Sequence, residues 1–257
     1  MQINTSAAVI TGGCSGLGLA AAKALVAKGA NVVLLDINQQ AGAEQVNALG
    51  DANTLFVQAD VTNEQQVTAA LEQAVARFGK IDICVNCAGI APAERTLDKA
   101  AQPASLAKFN QAIAINLSGT FNVARLAASH MAANNPTPSE ERGVIINTAS
   151  IAGYEGQIGQ TAYAASKAGI IGMTLPMARD LAATGIRVNS IAPGVMATPL
   201  LTAMPQSVQD ALGAGVPYPK RLGRPEEFAQ LVIHIIENSY LNGETIRLDG
   251  GLRMQPK

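Results

Sequence analysis

The sequence predicts an α/β fold with a parallel sheet covered by helices on both faces. Three observations predict it. Short, continuous apolar runs recur along the chain, and segments of helical composition separate them. The runs lack the polar alternation of a half-exposed sheet, which is the habit of parallel strands buried under crossover helices. A glycine-rich stretch joins the first apolar run to the first helical segment.

Ala7 to Thr11 is the first strand. Leu17 to Lys28 is a helix, and Gly29 is placed to stop it. Val32 to Leu35 and Leu55 to Val57 are the second and third strands. Val67 to Phe78 sets Val67, Ala70, Leu71, Ala74, Val75 and Phe78 on one helical face. Ile81 to Val85, Val144 to Ile146, Ile186 to Ile191 and Thr245 to Leu248 complete seven strands. The sheet is therefore expected to be doubly wound, with a ligand at the carboxyl ends of its strands. No repeat or linker divides the chain, so residues 1–257 are expected to form a single domain. Asn134 to Arg142, with Pro136, Pro138 and three charges, is expected to be a solvated loop.

Of the residues, 48% are hydrophobic and 14% charged, with a formal net charge of -1. That balance gives no long-range attraction to nucleic acid or an anionic membrane, so neither is expected as a partner. No run of about 18 apolar residues suggests a membrane span, and no basic and apolar leader suggests secretion. The expected location is cytoplasmic. Cys14, Cys84 and Cys87 are too few for a disulfide framework. Cys84 and Cys87 have C-x-x-C spacing, but no second cysteine pair exists and Cys84 falls in a buried strand, so no metal is expected. His130 and His234 lack ligand spacing to each other or to the cysteines.

Thr11-Gly12-Gly13-Cys14-Ser15-Gly16-Leu17-Gly18 lies between the first strand and the first helix. Glycine permits the positive φ of a tight turn and close approach to a ligand. The helix start offers free N–H groups to a pyrophosphate. Gly12, Ser15, Gly16, Leu17 and Gly18 are the candidate residues. Asp36 ends the second strand, 18 residues after Gly18, where a carboxylate can accept hydrogen bonds from both adenosine ribose hydroxyls. It would repel a 2′-phosphate, and no arginine occurs from Asp36 to Ala48, so NAD is the expected cofactor. Asp60, beside Val61 after the third strand, can serve the adenine amine or cap the next helix.

Tyr163 and Lys167 are four residues apart on a predicted helix, hence on one face. Ser150 lies 13 residues before Tyr163, just beyond the fifth strand. Reducing a carbonyl needs a proton donor beside the oxygen, and oxidising an alcohol needs a base there. A free tyrosine has a pKa of about 10, and a neighbouring ammonium, which Lys167 can supply, together with the nicotinium charge is expected to lower it. Ser150 can orient the reacting oxygen.

These residues together resemble the short-chain dehydrogenase/reductase family, over nearly the whole chain. The T-G-x-x-x-G-x-G turn matches Thr11 to Gly18, the N-N-A-G motif appears as Asn86-Cys87-Ala88-Gly89, and the P-G-x-x-x-T motif matches Pro193, Gly194 and Thr198. The resemblance implies a Rossmann-type sheet, a cofactor-binding N-terminal half and a catalytic, substrate-binding C-terminal half. It implies that Cys87, Ala88 and Gly89 run along the cofactor through their backbone. It implies that Asn116 joins Ser150, Tyr163 and Lys167 as the catalytic set, holding a water that links the lysine to solvent. Pro193, Gly194, Met196 and Thr198 would grip the nicotinamide carboxamide. A homotetramer is implied, paired through the helix Phe121 to Met131 and the strand Thr245 to Leu248.

The similarity is greatest to members that oxidise 3-hydroxyacyl-CoA thioesters and hydroxysteroids. It is carried by Gly143 to Ser150, Glu155 to Gln160, Gly172 to Pro176 and Arg221 to Gly223. An acyl-CoA substrate is the leading expectation. A steroid or other bulky secondary alcohol is one alternative, and a nucleotide-binding scaffold is another. The intact Asn116, Ser150, Tyr163 and Lys167 weigh against a scaffold. Gln157 and Gln160 are expected to reach the acyl region or the thioester. Leu200, Leu201, Met204, Leu212 and Val216 form an apolar stretch that is either ordinary core or, as its place just after Thr198 favours, a mobile lid; as a lid, Leu200, Leu201 and Met204 are expected to cover the acyl chain. Arg95, Lys99 and Lys108 are either CoA phosphate partners or ordinary solvated charges.

Overall fold

The seven expected strands pair in the order β3-β2-β1-β4-β5-β6-β7, all parallel. In chain order they are β1 (Ala7–Thr11), β2 (Asn31–Asp36), β3 (Thr54–Gln58), β4 (Ile83–Asn86), β5 (Gly143–Thr148), β6 (Ile186–Pro193) and β7 (Thr245–Leu248). The helices are α1 (Gly16–Ala27), α2 (Gln39–Leu49), α3 (Glu64–Phe78), α4 (Leu106–Ala112), α5 (Gly119–Ala132), α6 (Thr161–Ala182), α7 (Pro199–Thr202), α8 (Gln206–Ala214) and α9 (Pro225–Glu237). This computed structural model describes residues 1–256, without the side chain of Leu200.

Continuous apolar strands make this arrangement stable because helices cover both faces. On one face Val9, Cys84, Ile145 and Val188 pack with Leu71 of α3, Met131 of α5 and Met177 of α6. On the other, Ile10, Val85, Ile146 and Ile191 pack with Leu25 of α1 and Phe228 and Val232 of α9. Burying a side chain such as Phe228, which is wholly inaccessible, contributes about 1.5–3 kcal/mol. Strand order reverses between β1 and β4. Crossover connections diverge there and open a crevice at the carboxyl ends of the strands.

Local chemistry sets the ends of the elements. Helix α3 begins at Glu64 because the Asn63 side chain accepts from Gln66 N, and Gly79, at φ 81°, ends it. The cap is thus Asn63 and not Asp60. Asp60 Oδ1 instead accepts from the amide and hydroxyl of Thr62, at 2.8 and 2.7 Å. Strand β4 starts at Ile83, later than expected; Asp82 before it bonds Ala7 O and Val144 N through its backbone, and its Oδ2 accepts from Ala7 N at 2.8 Å. Residues Ile113–Ser118 form a π-turn between α4 and α5, which apolar periodicity does not foretell.

Burial corrects one expectation and decides another that the sequence left open. The segment Asn134 to Arg142 is not simply solvated. Its Glu141 is 5% exposed and accepts from Arg187 Nε at 2.7 Å. Arg187 is itself buried in β6 and donates to the carbonyls of Ile235, Ile236 and Leu241 around the end of α9. A guanidinium in that place needs a carboxylate, and the loop supplies it. The apolar stretch after Thr198 does not act as one unit either. It forms α7 and α8, but Val216 is buried at 4% exposure, within reach of any Cβ placed on Gly250. Val216 is core.

Candidate active site

A cavity of about 630 Å³ occupies the crevice at the carboxyl ends of the strands. At one end it meets the turn after β1. Thr11 Oγ1 accepts from the amides of Cys87 and Ala88, both at 3.1 Å, which draws the segment after β4 against that turn. Gly12 has φ 60°, and a Cβ there would stand 2.9 Å from Ala88 N. Gly18 lies against the Gly12 carbonyl with no room for a side chain. Gly16, at φ 52°, faces Thr198. Ser15 precedes α1 without capping it, so the first amides of that helix are left for a ligand. Gly12, Ser15, Gly16, Leu17 and Gly18 all line the cavity. A turn with no room for a Cβ at Gly12 or Gly18, followed by the free first amides of α1, fits a nucleotide pyrophosphate.

Asp36 closes the same end. Its oxygens accept from Cys14 N at 3.2 Å and Asn38 N at 3.1 Å, which fixes the carboxylate beside the cavity. Asp60 and Val61 line the cavity nearby, and so does Ile37, an exposed apolar residue that periodicity does not single out. Cys87, Ala88 and Gly89 run along its middle. Cys84 and Cys87 point to opposite faces of the sheet, into the two separate cores. Both are free thiols. Cys87 Sγ accepts from Thr148 Oγ1 at 3.3 Å, and burial pushes its thiol up to about 11, so it is neutral.

Ser150, Tyr163 and Lys167 line the deeper part. Ser150 follows β5, and its Oγ accepts from Ala152 N at 3.1 Å, which leaves the hydroxyl proton free to donate. Tyr163 lies in the first turn of α6. Lys167 stands one turn on, with Nζ 5.8 Å from the tyrosine ring centroid and donating to Thr148 O at 2.7 Å. Burial brings the lysine down to about 8. Without the nicotinium charge, the surroundings of the tyrosine act mainly through burial. Burial raises its pKa, the Ser150 hydroxyl works in the opposite direction, and no effect of Lys167 outweighs desolvation. In the chain alone the phenol is therefore protonated and poised as a donor.

Asn116 lies behind the cavity wall, wholly buried in the π-turn. Its Oδ1 accepts from Ile90 N and its Nδ2 donates to Ile90 O, both at 2.8 Å. Nδ2 also donates to Ser166 Oγ at 3.0 Å, and Ser166 donates to Tyr163 O at 2.7 Å. One amide thus joins the segment after β4 to the helix that carries Tyr163 and Lys167. A Cβ on Gly89 would stand 3.1 Å from Asn116 Oδ1 and 3.7 Å from Lys167 Nζ.

Pro193, the last residue of β6, and Gly194, Met196 and Thr198 beyond it complete the wall. A Cβ on Gly194 would meet Asp249 Cα at 2.9 Å. Gln157, Gln160, Leu201 and Met204 line the outer part. Gln160 Oε1 accepts from Gln157 N, and Gln157 Nε2 donates to Gln255 O, each at 3.0 Å, so one end of each amide is already committed. Leu200 lies in α7, and its side chain is outside the described residues. Leu212, from the apolar stretch after Thr198, also lines this part, and so does Met254, which went unnoticed in the sequence. Met254 follows the last strand, where no motif or period marks it. Arg95, Lys99 and Lys108 do not line the cavity, and Lys108 is paired with Glu94 at 3.1 Å.

A parallel seven-stranded sheet with this glycine turn at its point of reversal defines the nicotinamide-dependent short-chain dehydrogenase/reductases. A family model described as enoyl-(acyl carrier protein) reductase matches residues 12–253, and the chain belongs to this family of oxidoreductases. Among proteins of known identity it is similar to the 3-hydroxyacyl-CoA dehydrogenase type-2 of Homo sapiens, at 56% identity over 97% of this chain and 95% of that protein. The protein of the same name from Drosophila melanogaster is 51% identical over 99% of this chain and 100% of its own length. The crystal structure of 3-hydroxyacyl-CoA dehydrogenase type-2 from Mycobacterium avium superposes with a TM-score of 0.96 at 44% identity, covering 100% of this chain and 99% of that one. Among the described residues no helix is long and apolar enough to cross a membrane.

Proposed function

We propose that the protein is an NAD-dependent dehydrogenase interconverting 3-hydroxyacyl-CoA and 3-ketoacyl-CoA thioesters. The substrate assignment rests on full-length similarity to relatives that carry that activity in their names. When bound, the nicotinamide cofactor supplies the hydride donor or acceptor. Asp36 accepts from the adenosine ribose hydroxyls and disfavours a 2′-phosphate, while Asp60 and Val61 meet the adenine. The amides from Gly12 to Gly18 hold the pyrophosphate. Cys87, Ala88 and Gly89 flank the cofactor, and Pro193, Gly194, Met196 and Thr198 hold its carboxamide.

Tyr163 takes the alcohol proton during oxidation and returns it during reduction. Ser150 donates to the same oxygen and orients it. Lys167 spends one N–H on Thr148 O and keeps the others for the nicotinamide ribose and for moving the proton outward. Asn116 holds the lysine's surroundings and a water leading to solvent. Gln157 and Gln160 meet the thioester end, and Leu200, Leu201 and Met204 cover the acyl chain. We assign the N-terminal half of residues 1–257 to the cofactor and the C-terminal half to catalysis and substrate. Three free thiols suit a reducing, cytoplasmic setting.

We also propose a homotetramer. Phe121 is 49% exposed on α5, and β7 is an edge strand left half-exposed. A monomeric mass by light scattering at micromolar concentration overturns that assembly.

The deciding experiment compares kcat/KM for acetoacetyl-CoA, its pantetheine thioester and a steroid ketone, each with NADH and NADPH. The proposal expects the full CoA ester to be the best substrate and NADH the better cofactor. A steroid that exceeds both thioesters replaces the substrate assignment. Asp36→Ala should weaken NADH and narrow the gap to NADPH, and equal use of both cofactors by the unaltered protein refutes the cofactor assignment.

A further inference from the structure

Beyond Leu248 the chain turns back on itself. Gly250 and Gly251 have φ of 61° and 82°, conformations that only glycine adopts freely. Asp249 Oδ1 accepts from Gly251 N at 2.9 Å and holds the turn. Residues 252–256 then lie against the loop between Ser150 and α6. Two backbone-directed contacts fasten them: Gln157 Nε2 donates to Gln255 O, and Ile158 N to Pro256 O, each at 3.0 Å.

A charged cluster centred on Glu155 fastens them a third time. Glu155 Oε1 lies 2.9 Å from Arg247 Nη1 and 3.4 Å from Arg253 Nε. Its Oε2 accepts from Met254 N at 3.0 Å. Arg247 Nη2 donates to Leu252 O at 2.9 Å, and its Nε to Asp249 at 2.7 Å. The Arg247 guanidinium also covers the Tyr154 ring, 5.1 Å from the centroid. The side chains of Arg247 and Glu155 are 21% and 27% exposed, so water screens this pair less than it screens the surface pairs. The result is that the backbone of Met254 is pinned while its side chain lines the same cavity as Gln157, Gln160 and Tyr163.

We propose that the segment after β7 forms one wall of the substrate pocket and that Met254, held in place by Glu155, is a specificity-determining residue for the size of the chain beyond the reacting carbon. This rests on the dehydrogenase reading of the site. An unbranched thioether adapts its shape to apolar chains of different length. A rigid tether on its backbone confines that adaptation to the side chain. Glu155 touches neither substrate nor cofactor in this scheme. It is a positioning residue, joining the loop that carries Gln157 to the segment that carries Met254.

The experiment measures kcat/KM across two ladders of rising chain length, 3-ketoacyl-CoA thioesters and simple aliphatic ketones, with NADH. The unaltered protein, Met254→Ala and Glu155→Gln are compared. Met254→Ala should raise the long-to-short ratio of kcat/KM by about 10-fold, the scale on which a few methylenes are discriminated, while the NADH dissociation constant stays put. Glu155→Gln should raise KM for long substrates more than it lowers kcat, and should speed amide hydrogen exchange at Ile158 and Met254. A length profile in Met254→Ala that parallels that of the unaltered protein overturns the proposal. So does unchanged exchange at both amides in Glu155→Gln. Thioesters left unreduced while the ketone ladder still shifts in Met254→Ala would dismiss the acyl-CoA reading and support the pocket wall.

Discussion

Tyr163 and Lys167 show how a pair adjacent on one helix face can still be governed by its surroundings. In the chain without cofactor, burial raises the phenol and brings the lysine down to about 8. Tyr163→Phe keeps the ring and removes the exchangeable proton. Hydride transfer should fall by about 100-fold or more, with NADH binding retained in a fluorescence titration. A near-normal kcat would place the acid elsewhere. The lysine makes a second prediction, about stability. Its ordinary value is 10.5 and its folded value about 8. Across that window the unfolded chain holds a proton that the folded chain has shed, so stability rises with pH from about 8 to about 10.5. Urea midpoints at the two ends of the window should differ more in the unaltered protein than in Lys167→Met. Equal differences would show that the lysine is not desolvated.

At the scale of elements, the site depends on joints that no single element contains. Asn116 belongs to the π-turn, Ile90 to the segment after β4, and Ser166 to α6. Ser166→Ala removes the acceptor for Asn116 Nδ2 and the donor to Tyr163 O. A lost buried hydrogen bond costs about 1–3 kcal/mol when it strands a polar group. We expect lower thermal stability and a shifted pH profile of kcat, with Ser166→Thr restoring the profile in part. An unchanged profile would reduce Ser166 to a packing residue. The helix and strand signals were legible because period and glycine stops are local: Gly29, at φ 85°, follows the end of α1 where the sequence places a stop. The π-turn was not legible, because its extra residue is stabilised by the bonds of Asn116 to residues far along the chain.

For the whole molecule, the sheet and its edges set what a charge means. Glu141 reads as one of three charges in a surface loop, but the fold delivers it to Arg187 under α9. Removing one partner of a buried pair leaves the other uncompensated, so Glu141→Gln should cost about 3–5 kcal/mol in urea unfolding. The same change at exposed Glu237, paired with Lys28 at 2.8 Å, should cost less than about 1 kcal/mol. Comparable losses at both sites would mean that burial does not distinguish them.

The sequence by itself determined the parallel sheet, its seven strands, the glycine turn, and the family to which the residues Ser150, Tyr163 and Lys167 belong. Each of these is written in local patterns: apolar runs, helical spacing, glycines where a positive φ or a close approach is required. Only the tertiary structure decided which polar groups are buried and what each one meets. It placed Asn116 behind the cavity, assigned the cap of α3 to Asn63 rather than Asp60, moved Val216 into the core and brought Met254 back to the pocket. These outcomes depend on contacts between residues such as Glu155 and Met254, 99 positions apart. Desolvation and hydrogen-bond satisfaction act through space, and nothing in the spacing of neighbours along the chain records them.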